Sequence, residues 1–147
     1  MGRNNKYIPK KGTNPLIIGL KQKKMIETHF DCFKCHVDRY GLSCTGFIQP
    51  VEESVNYKIQ IKYRGNGAPK VFVKSPVIKK NSKIHRYSDG SLCLYYPLED
   101  PWSDKKNIHD TIIPWTAEWL VYYELFLLTG KWLGPEQPHG KKKVQEN

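Results

Sequence analysis

The sequence predicts an α+β domain in which an N-terminal helix, an antiparallel meander of strands and an aromatic C-terminal helix follow one another. The clearest signal is the run from Val55 to Tyr63, where apolar and polar residues alternate. A period of two is typical of a strand with one buried face. Apolar residues at helical spacing follow Pro15, and aromatic residues at helical spacing follow Pro114. The strands between them are joined by short links, which favours antiparallel pairing.

The composition indicates a single globular domain. The chain has 147 residues, which is long enough to bury a hydrophobic core. Of these residues 39% are hydrophobic and 26% are charged, a composition typical of globular rather than disordered chains. It contains no apolar run long enough to span a bilayer, and no secretory signal follows Met1. We therefore expect a cytoplasmic location, without a membrane partner. In a reducing compartment the four cysteines are expected to be thiols, metal ligands or catalysts rather than disulfides.

The basic charge is predicted to lie largely outside the folded core. The formal net charge is +10 at pH 7, which favours acidic partners. We expect a flexible tail over residues 1–14, a single domain over 15–133 and a basic flexible tail over 134–147. A basic face for nucleic acid is an alternative, but no nucleic-acid motif accompanies the charge.

The first helix is predicted from Pro15 to about Thr28. Proline suits the first helical position, and Asn14 before it is a favourable N-cap.

The segment after this helix contains Cys32, Cys35 and His36 in the spacing of a haem-attachment site. That chemistry belongs to exported chains, so we reject it. A zinc site needs four ligands, and Cys44 is the nearest further candidate. The alternative is that Cys32 and Cys35 are ordinary thiols on either side of Phe33.

Three strands are predicted next. They run from Leu42 to Gln49, from Val55 to Tyr63, and from Val71 to Lys74. Residues 65–69 are rich in glycine and form a turn between the last two.

The second helix is predicted from Pro114 to about Leu128, and Thr129 and Gly130 end it. Aromatic residues recur along this helix at helical spacing. Such a stripe is typical of a helix face that packs in the core, on the open face of a sheet. Trp132 and Leu133 are candidates to pack back. The stripe consists of Trp115, Trp119, Tyr122, Tyr123 and Phe126.

The candidate reactive residue is Cys93, which follows the turn signal Ser88, Asp89 and Gly90. A cysteine in an apolar run is often only a small buried hydrophobe. Here the surroundings are polar and aromatic, and His85 lies across the turn, so we expect a nucleophile on a loop. With His85 as a base, oriented by Asp89 or Asp110, a hydrolase is one alternative. A thioester carrier is the other, and it needs an oxyanion donor rather than a strong base.

The order of elements around this cysteine resembles the ubiquitin-conjugating enzyme fold. The tract Gly90-Ser91-Leu92-Cys93-Leu94 resembles the cysteine box of that family, and Trp102-Ser103 resembles its Trp-Ser-Pro. The resemblance covers about Pro15 to Leu128. It implies a four-stranded antiparallel meander, an active-site loop holding Cys93, and supporting roles near it for Tyr87, Asp89, Trp102 and Ser103.

The sequence departs from the family at its His-Pro-Asn motif, which here reads His85-Arg86-Tyr87. Aligned without gaps, His85 takes the place of the asparagine, where its imidazole would support the oxyanion. With a turn shorter by two residues, His85 takes the place of the histidine and is structural. Both alternatives remain open at this point. The additional C-terminal helices of the eukaryotic family have no counterpart after the aromatic helix.

A narrower resemblance is to the stand-alone ubiquitin-conjugating-like proteins of bacterial anti-phage cyclic-oligonucleotide (CBASS) signalling systems. It implies a thioester between Cys93 and the C-terminus of a nucleotidyltransferase resembling cyclic GMP-AMP synthase, with no cofactor and no metal. The acyl group then passes to an amine. The residues that carry this resemblance are Ile113-Pro114-Trp115, Trp119-Leu120, Tyr123-Glu124, Thr129-Gly130-Lys131-Trp132 and His139.

His139 is a further candidate for a supporting role. Two alternatives to an enzyme are a non-catalytic protein-binding module of the same fold and a zinc- or nucleic-acid-binding domain.

Overall fold

The computed structural model describes Tyr7 and residues 14–79, 84–95 and 99–135. An N-terminal helix, a four-stranded antiparallel sheet and a C-terminal helix confirm the predicted α+β class. None of the helices described is long and apolar enough to cross a membrane. The elements are α1 (Pro15–His29), β1 (Phe33–Asp38), β2 (Gly41–Ile48), β3 (Tyr57–Tyr63), β4 (Lys70–Ser75) and α2 (Ile112–Thr129).

Helix α1 begins where the sequence predicts and ends one residue later. The side chain of Asn14 caps it by accepting a hydrogen bond from the backbone N–H of Leu16 at 3.0 Å. Inside the fold, the buried Gln22 accepts a hydrogen bond from the backbone N–H of Ile108 at 2.9 Å and donates one to Asn107 at 3.2 Å. These bonds tie α1 to the loop that leads into α2.

The sheet has the order β1-β2-β3-β4, and one of its faces is buried. Strand β1 lies in the segment to which the sequence analysis assigned no regular structure. Strand β3 begins at Tyr57, and Val55 is exposed outside it, so the predicted start is two residues too early. Tyr57, Ile59, Ile61 and Tyr63 point inward together because alternate residues of a strand share a face.

The outer edge of β1 is covered by charged side chains of α1. Lys23 donates to the carbonyl of Cys35 at 3.1 Å, and the carboxylate of Glu27 accepts from the backbone N–H of Cys35 at 2.8 Å. Lys23 and Glu27 also form an ion pair at 2.8 Å. The helix therefore satisfies the backbone groups that an edge strand otherwise leaves open.

The prediction that all four cysteines are thiols or metal ligands is wrong for Cys35 and Cys44, which form a disulfide. The register places them directly opposite one another on β1 and β2, with their Cα atoms 4.1 Å apart. The Cys35 N–H points away from β2 toward Glu27, so the pair lies at a non-hydrogen-bonded site, where facing side chains are closest. Cys32 and Cys93 remain thiols.

Helix α2 begins at Ile112, two residues before the predicted start at Pro114. Trp119, Tyr123 and Phe126 are buried, which confirms the core prediction for these three residues of the aromatic stripe, whereas Trp115 and Tyr122 are only half-buried. The carboxylate of Glu124 accepts hydrogen bonds from the Ser54 hydroxyl at 2.6 Å and from the Tyr57 hydroxyl at 2.9 Å. These contacts fix α2 against the sheet.

Candidate active site around Cys93

Cys93 lies at the end of a short hairpin that the predicted turn creates. Arg86 and Leu92 form an isolated antiparallel bridge, and the N–H of Tyr87 donates to the carbonyl of Ser91 at 2.8 Å. Gly90 has φ +89°, a conformation that glycine adopts without steric cost. Its N–H donates to the backbone carbonyl of Tyr87 at 2.9 Å. The hairpin brings residues 85–87 beside residues 91–93.

Asp89 organises the turn. One of its carboxylate oxygens accepts from the Ser91 N–H at 2.9 Å and from the Ser91 hydroxyl at 2.6 Å. The other pairs with the ammonium group of Lys70 at 2.8 Å. The hydrogen bonds from Lys70 and Ser91 lower the pKa of Asp89 to about 2, so the carboxylate stays charged at all ordinary pH values.

The hairpin is fixed to both the sheet and α2 through backbone groups. The N–H of Leu92 donates to the carbonyl of Val71 on β4 at 2.9 Å. The carbonyl of His85 accepts two hydrogen bonds of 3.1 Å, one from the N–H of Cys93 and one from the indole of Trp119. His85 therefore returns to the cysteine as the sequence predicts, and the contact described here is made by its backbone.

The side chain of Cys93 is buried rather than presented on an open loop. Cys93 lies outside the strands, as predicted, but it is only 4% exposed. Burial raises the pKa of its thiol to about 12; a hydrogen bond from Tyr87 acts in the opposite direction, and the charge of Asp89 raises it further. In this state the sulfur is a neutral thiol at neutral pH.

Tyr87 is the polar side chain that faces the sulfur. Its hydroxyl makes a hydrogen bond with the thiol of Cys93, and the residue is 42% exposed. Burial, followed by the charge of Cys93 and this hydrogen bond, raises the pKa of Tyr87 to about 12. The phenol therefore keeps its proton and can donate it to a negative charge that develops at the sulfur.

Aromatic residues line a cleft together with Cys93. The Trp132 ring is 5.1 Å from the His85 ring and 5.3 Å from the Trp119 ring, measured between centroids. A small cleft of about 50 Å³ among the described residues reaches Cys93 there. Its walls are Leu94, Trp115, Glu118, Trp119, Tyr122, Trp132 and Pro135.

A larger groove of about 680 Å³ lies beside the hairpin, and Tyr87 and Asp89 contribute to its wall. Trp102 forms part of the same wall, and its indole donates to the Tyr63 hydroxyl at 3.1 Å. Ser103 is exposed, and its carbonyl accepts a hydrogen bond from the backbone N–H of Lys106. The hairpin thus brings His85, Tyr87 and Asp89 together near Cys93. His139 lies outside the described residues.

The residues weighed for a zinc site do not converge. Cys35 and Cys44 are joined in the disulfide on the buried face, and His36 follows Cys35 on the strand and so points to the opposite face. Within the described ranges no three His, Cys, Asp or Glu side chains are placed to hold a metal.

Two tryptophans of the site were not identified as such from the sequence. Trp119 was read only as core, although its indole anchors His85, and Trp132 only as a residue that packs back. A buried indole N–H usually finds a hydrogen-bond acceptor, so a core position for Trp119 already indicates that it has such a partner. The partner itself depends on the tertiary arrangement.

One of the comparisons with known proteins identifies a family for this chain. A search of curated proteins gives no significant match. A family model described as "Type II CBASS E2 protein" matches residues 22–140, a span that includes the sheet, the hairpin with Cys93, α2 and Trp132. Because the match covers most of the 147 residues, the chain belongs to the type II CBASS E2 protein family.

Proposed function

We propose that Cys93 is an acyl carrier. It forms a thioester with the activated C-terminal carboxyl of a nucleotidyltransferase resembling cyclic GMP-AMP synthase and passes the acyl group to an amine, which conjugates or primes that enzyme in anti-phage defence. The family supports a conjugating role. The observation that carries the chemistry is the hydrogen bond between the thiol of Cys93 and the hydroxyl of Tyr87.

The reaction has two transfers. The sulfur of Cys93 attacks the activated carbonyl carbon; a C–S bond forms, the bond to the leaving group breaks, and the thiol proton is released. An amine nitrogen then attacks the thioester carbon; a C–N bond forms, the C–S bond breaks, and the amine gives up a proton as the thiol is restored. Because a thioester is already activated, the step needs an oxyanion donor more than a strong base.

We assign the donor role to Tyr87 and a structural role to His85. The hydrogen bond with Tyr87 lowers the pKa of Cys93, so the hydroxyl favours negative charge at the sulfur, next to the place where the oxyanion develops. The His85 carbonyl holds the N–H of Cys93 and the indole of Trp119, which favours the structural alternative. Asp89 orders the turn, and Trp102 lines the groove beside it. The roles of Ser103 and His139 stay predictions.

The first prediction concerns Cys93→Ser. Co-expressed with a nucleotidyltransferase resembling cyclic GMP-AMP synthase and any activating enzyme, the wild-type chain should give an adduct that a thiol reductant cleaves. Cys93→Ser should replace it with an oxygen ester that resists the reductant and yields to hydroxylamine. Denaturing gels with intact-mass analysis make the measurement.

The matched control is Cys32→Ser, which removes the exposed thiol and should leave the adduct unchanged. If the partner conjugate forms as before in Cys93→Ser, the acyl-carrier proposal fails.

A second candidate function is a non-catalytic module that holds a protein. The burial of Cys93 favours it, since an inert thiol is commonly buried. Such a module would bind the nucleotidyltransferase in pull-downs of wild type and Cys93→Ser alike, and neither protein would form a covalent adduct.

A further inference from the structure

The cleft over Cys93 is the bottom of a trough built mainly by α2. Trp115, Trp119 and Tyr122 follow one another along one side of the helix at helical spacing. Cys93 and Leu94 line the same cleft. Three aromatic rings in a row offer a wall that suits a large apolar side chain.

The trough is occupied by residues 131–135 of the same chain. Gly130 ends α2 with φ +74°, and its N–H donates to Phe126 at 2.8 Å, so the chain reverses directly after the helix. Trp132 then lies with its ring 6.1 Å from the Tyr122 ring, in addition to its contacts with Trp119 and His85.

The fit of this segment is specific at Gly134. A Cβ atom at this position would lie 2.7 Å from the Tyr122 ring and 3.1 Å from the indole nitrogen of Trp132. The trough therefore accepts a large apolar side chain followed, two residues later, by a residue without one.

Polar contacts hold the segment only lightly. The Trp132 indole donates to the carbonyl of Pro135 at 3.4 Å, within the segment itself, and the N–H of Lys131 donates to the Thr129 hydroxyl at 3.1 Å. Leu133 is exposed. Apolar contact of Trp132 is thus the main attachment, and another chain with the same features can replace it.

We propose that residues 131–135 cover Cys93 in the free protein by occupying a binding trough for an extended peptide with a large apolar side chain. Resting on the proposed function, we assign the displacing peptide to the C-terminal segment of the acyl donor. When this segment binds, it displaces residues 131–135 and so uncovers the thiol beside the carboxyl group that it delivers. The buried state of Cys93 is then the resting state of the carrier.

The test is the rate at which N-ethylmaleimide modifies Cys93 in the full chain, with Cys32→Ser to remove the exposed thiol. Trp132→Ala should raise this rate at least about tenfold, because reaction follows the population of the uncovered thiol. Gly134→Val should raise it as well while retaining Trp132. Trp132→Phe should stay slow, and Leu133→Ala is the matched control on the exposed side of the segment.

Local uncovering is separated from unfolding by repeating the measurement at low urea concentrations. Detachment of a short segment exposes little surface, so the rate should hardly depend on urea. The inference is overturned if Trp132→Ala and Gly134→Val react at the rate of the parent, or if their faster reaction rises steeply with urea.

A peptide tests the trough itself. An amidated peptide with the sequence of residues 129–135, at millimolar concentration, should slow the modification of Cys93 in Trp132→Ala. The same peptide with alanine in place of its tryptophan should not. If both or neither slow the reaction, the trough has no preference for a large apolar side chain.

These outcomes are independent of acyl transfer. Fast modification of Cys93 in the parent protein would overturn the cover alone, whereas an unchanged conjugate in Cys93→Ser would overturn the acyl-carrier proposal alone.

Discussion

At the scale of single residues, Cys93 is held between opposing influences. Burial favours the neutral thiol, and the hydrogen bond from Tyr87 favours the thiolate. Burial is the larger effect, so the resting sulfur is protonated. Tyr87 matters most once the thiol is uncovered, since it is then the donor that remains beside the sulfur.

Tyr87→Phe should therefore lower the rate of acyl transfer by about 100–1,000-fold, the order expected when one donor to a developing oxyanion is lost. In a Trp132→Ala, Cys32→Ser background, it should also slow maleimide modification, because loss of the hydrogen bond raises the pKa of Cys93. Maleimide reacts with the thiolate, whose fraction rises about tenfold per pH unit below the pKa of the thiol. With Tyr87 present and a thiol pKa well above 9, the modification rate should therefore rise about tenfold per pH unit between pH 7 and 9.

Tyr95→Phe is the control, since Tyr95 lines the same groove. If Tyr87→Phe transfers at the wild-type rate, another group is the donor. The imidazole of His85 is then the candidate, and His85→Ala would test it.

At the scale of elements, α1 both packs on the sheet and closes its edge. Glu27 and Lys23 satisfy the outer backbone groups of Cys35 on β1. The hydrogen bond from Lys23 and then that from the Cys35 N–H lower the pKa of Glu27. The contacts at the edge of β1 therefore favour the charged carboxylate of Glu27 over its protonated form.

Glu27→Ala should reduce the free energy of unfolding by about 1–3 kcal/mol, because the Cys35 N–H loses its acceptor. Glu27→Gln keeps an acceptor oxygen and should cost less. Urea unfolding followed by tryptophan fluorescence makes the measurement.

Glu52→Ala is the comparison, because Glu52 is an exposed acid in the loop before β3. Equal losses for Glu27→Ala and Glu52→Ala would show that the edge contact contributes nothing to stability.

At the scale of the whole molecule, stability should fall at both ends of the pH range. Glu27 and Asp89 have lowered pKa values, so their contribution is present above the ordinary carboxyl range and is lost as pH falls through it, for Asp89 down to about 2. Cys93 and Tyr87 have raised pKa values. Their contribution is present below the ordinary thiol and phenol values and lost as pH rises toward about 12.

Urea midpoints measured from acidic to alkaline pH should therefore show a plateau with two slopes. Asp89→Asn should flatten part of the acid slope, and Cys93→Ala part of the alkaline slope. A parent profile that stays flat below pH 4 would contradict the paired state of the two carboxylates.

Local patterns in the sequence predicted most of the elements. The alternation up to Tyr63 located β3, the pair Asn14 and Pro15 located the start of α1, and the turn at Asp89 located the hairpin. Strand β1 had the same kind of signal, since Phe33, Cys35 and Val37 alternate with polar residues. The Cys-x-x-Cys-His spacing of the same segment is equally compatible with a metal motif, so the alternation alone does not decide between a strand and a metal site.

The sequence by itself determined the order of all the elements except β1, the position of the turn and the choice of Cys93 as the candidate nucleophile. Those properties depend on neighbours along the chain, whose spacing decides helix, strand or turn. The tertiary structure alone decided that Cys35 pairs with Cys44, that Trp119 holds His85, and that Trp132 lines the same cleft as Cys93. These contacts depend on strand register and on the chain reversal at Gly130, which bring together residues that no local pattern relates.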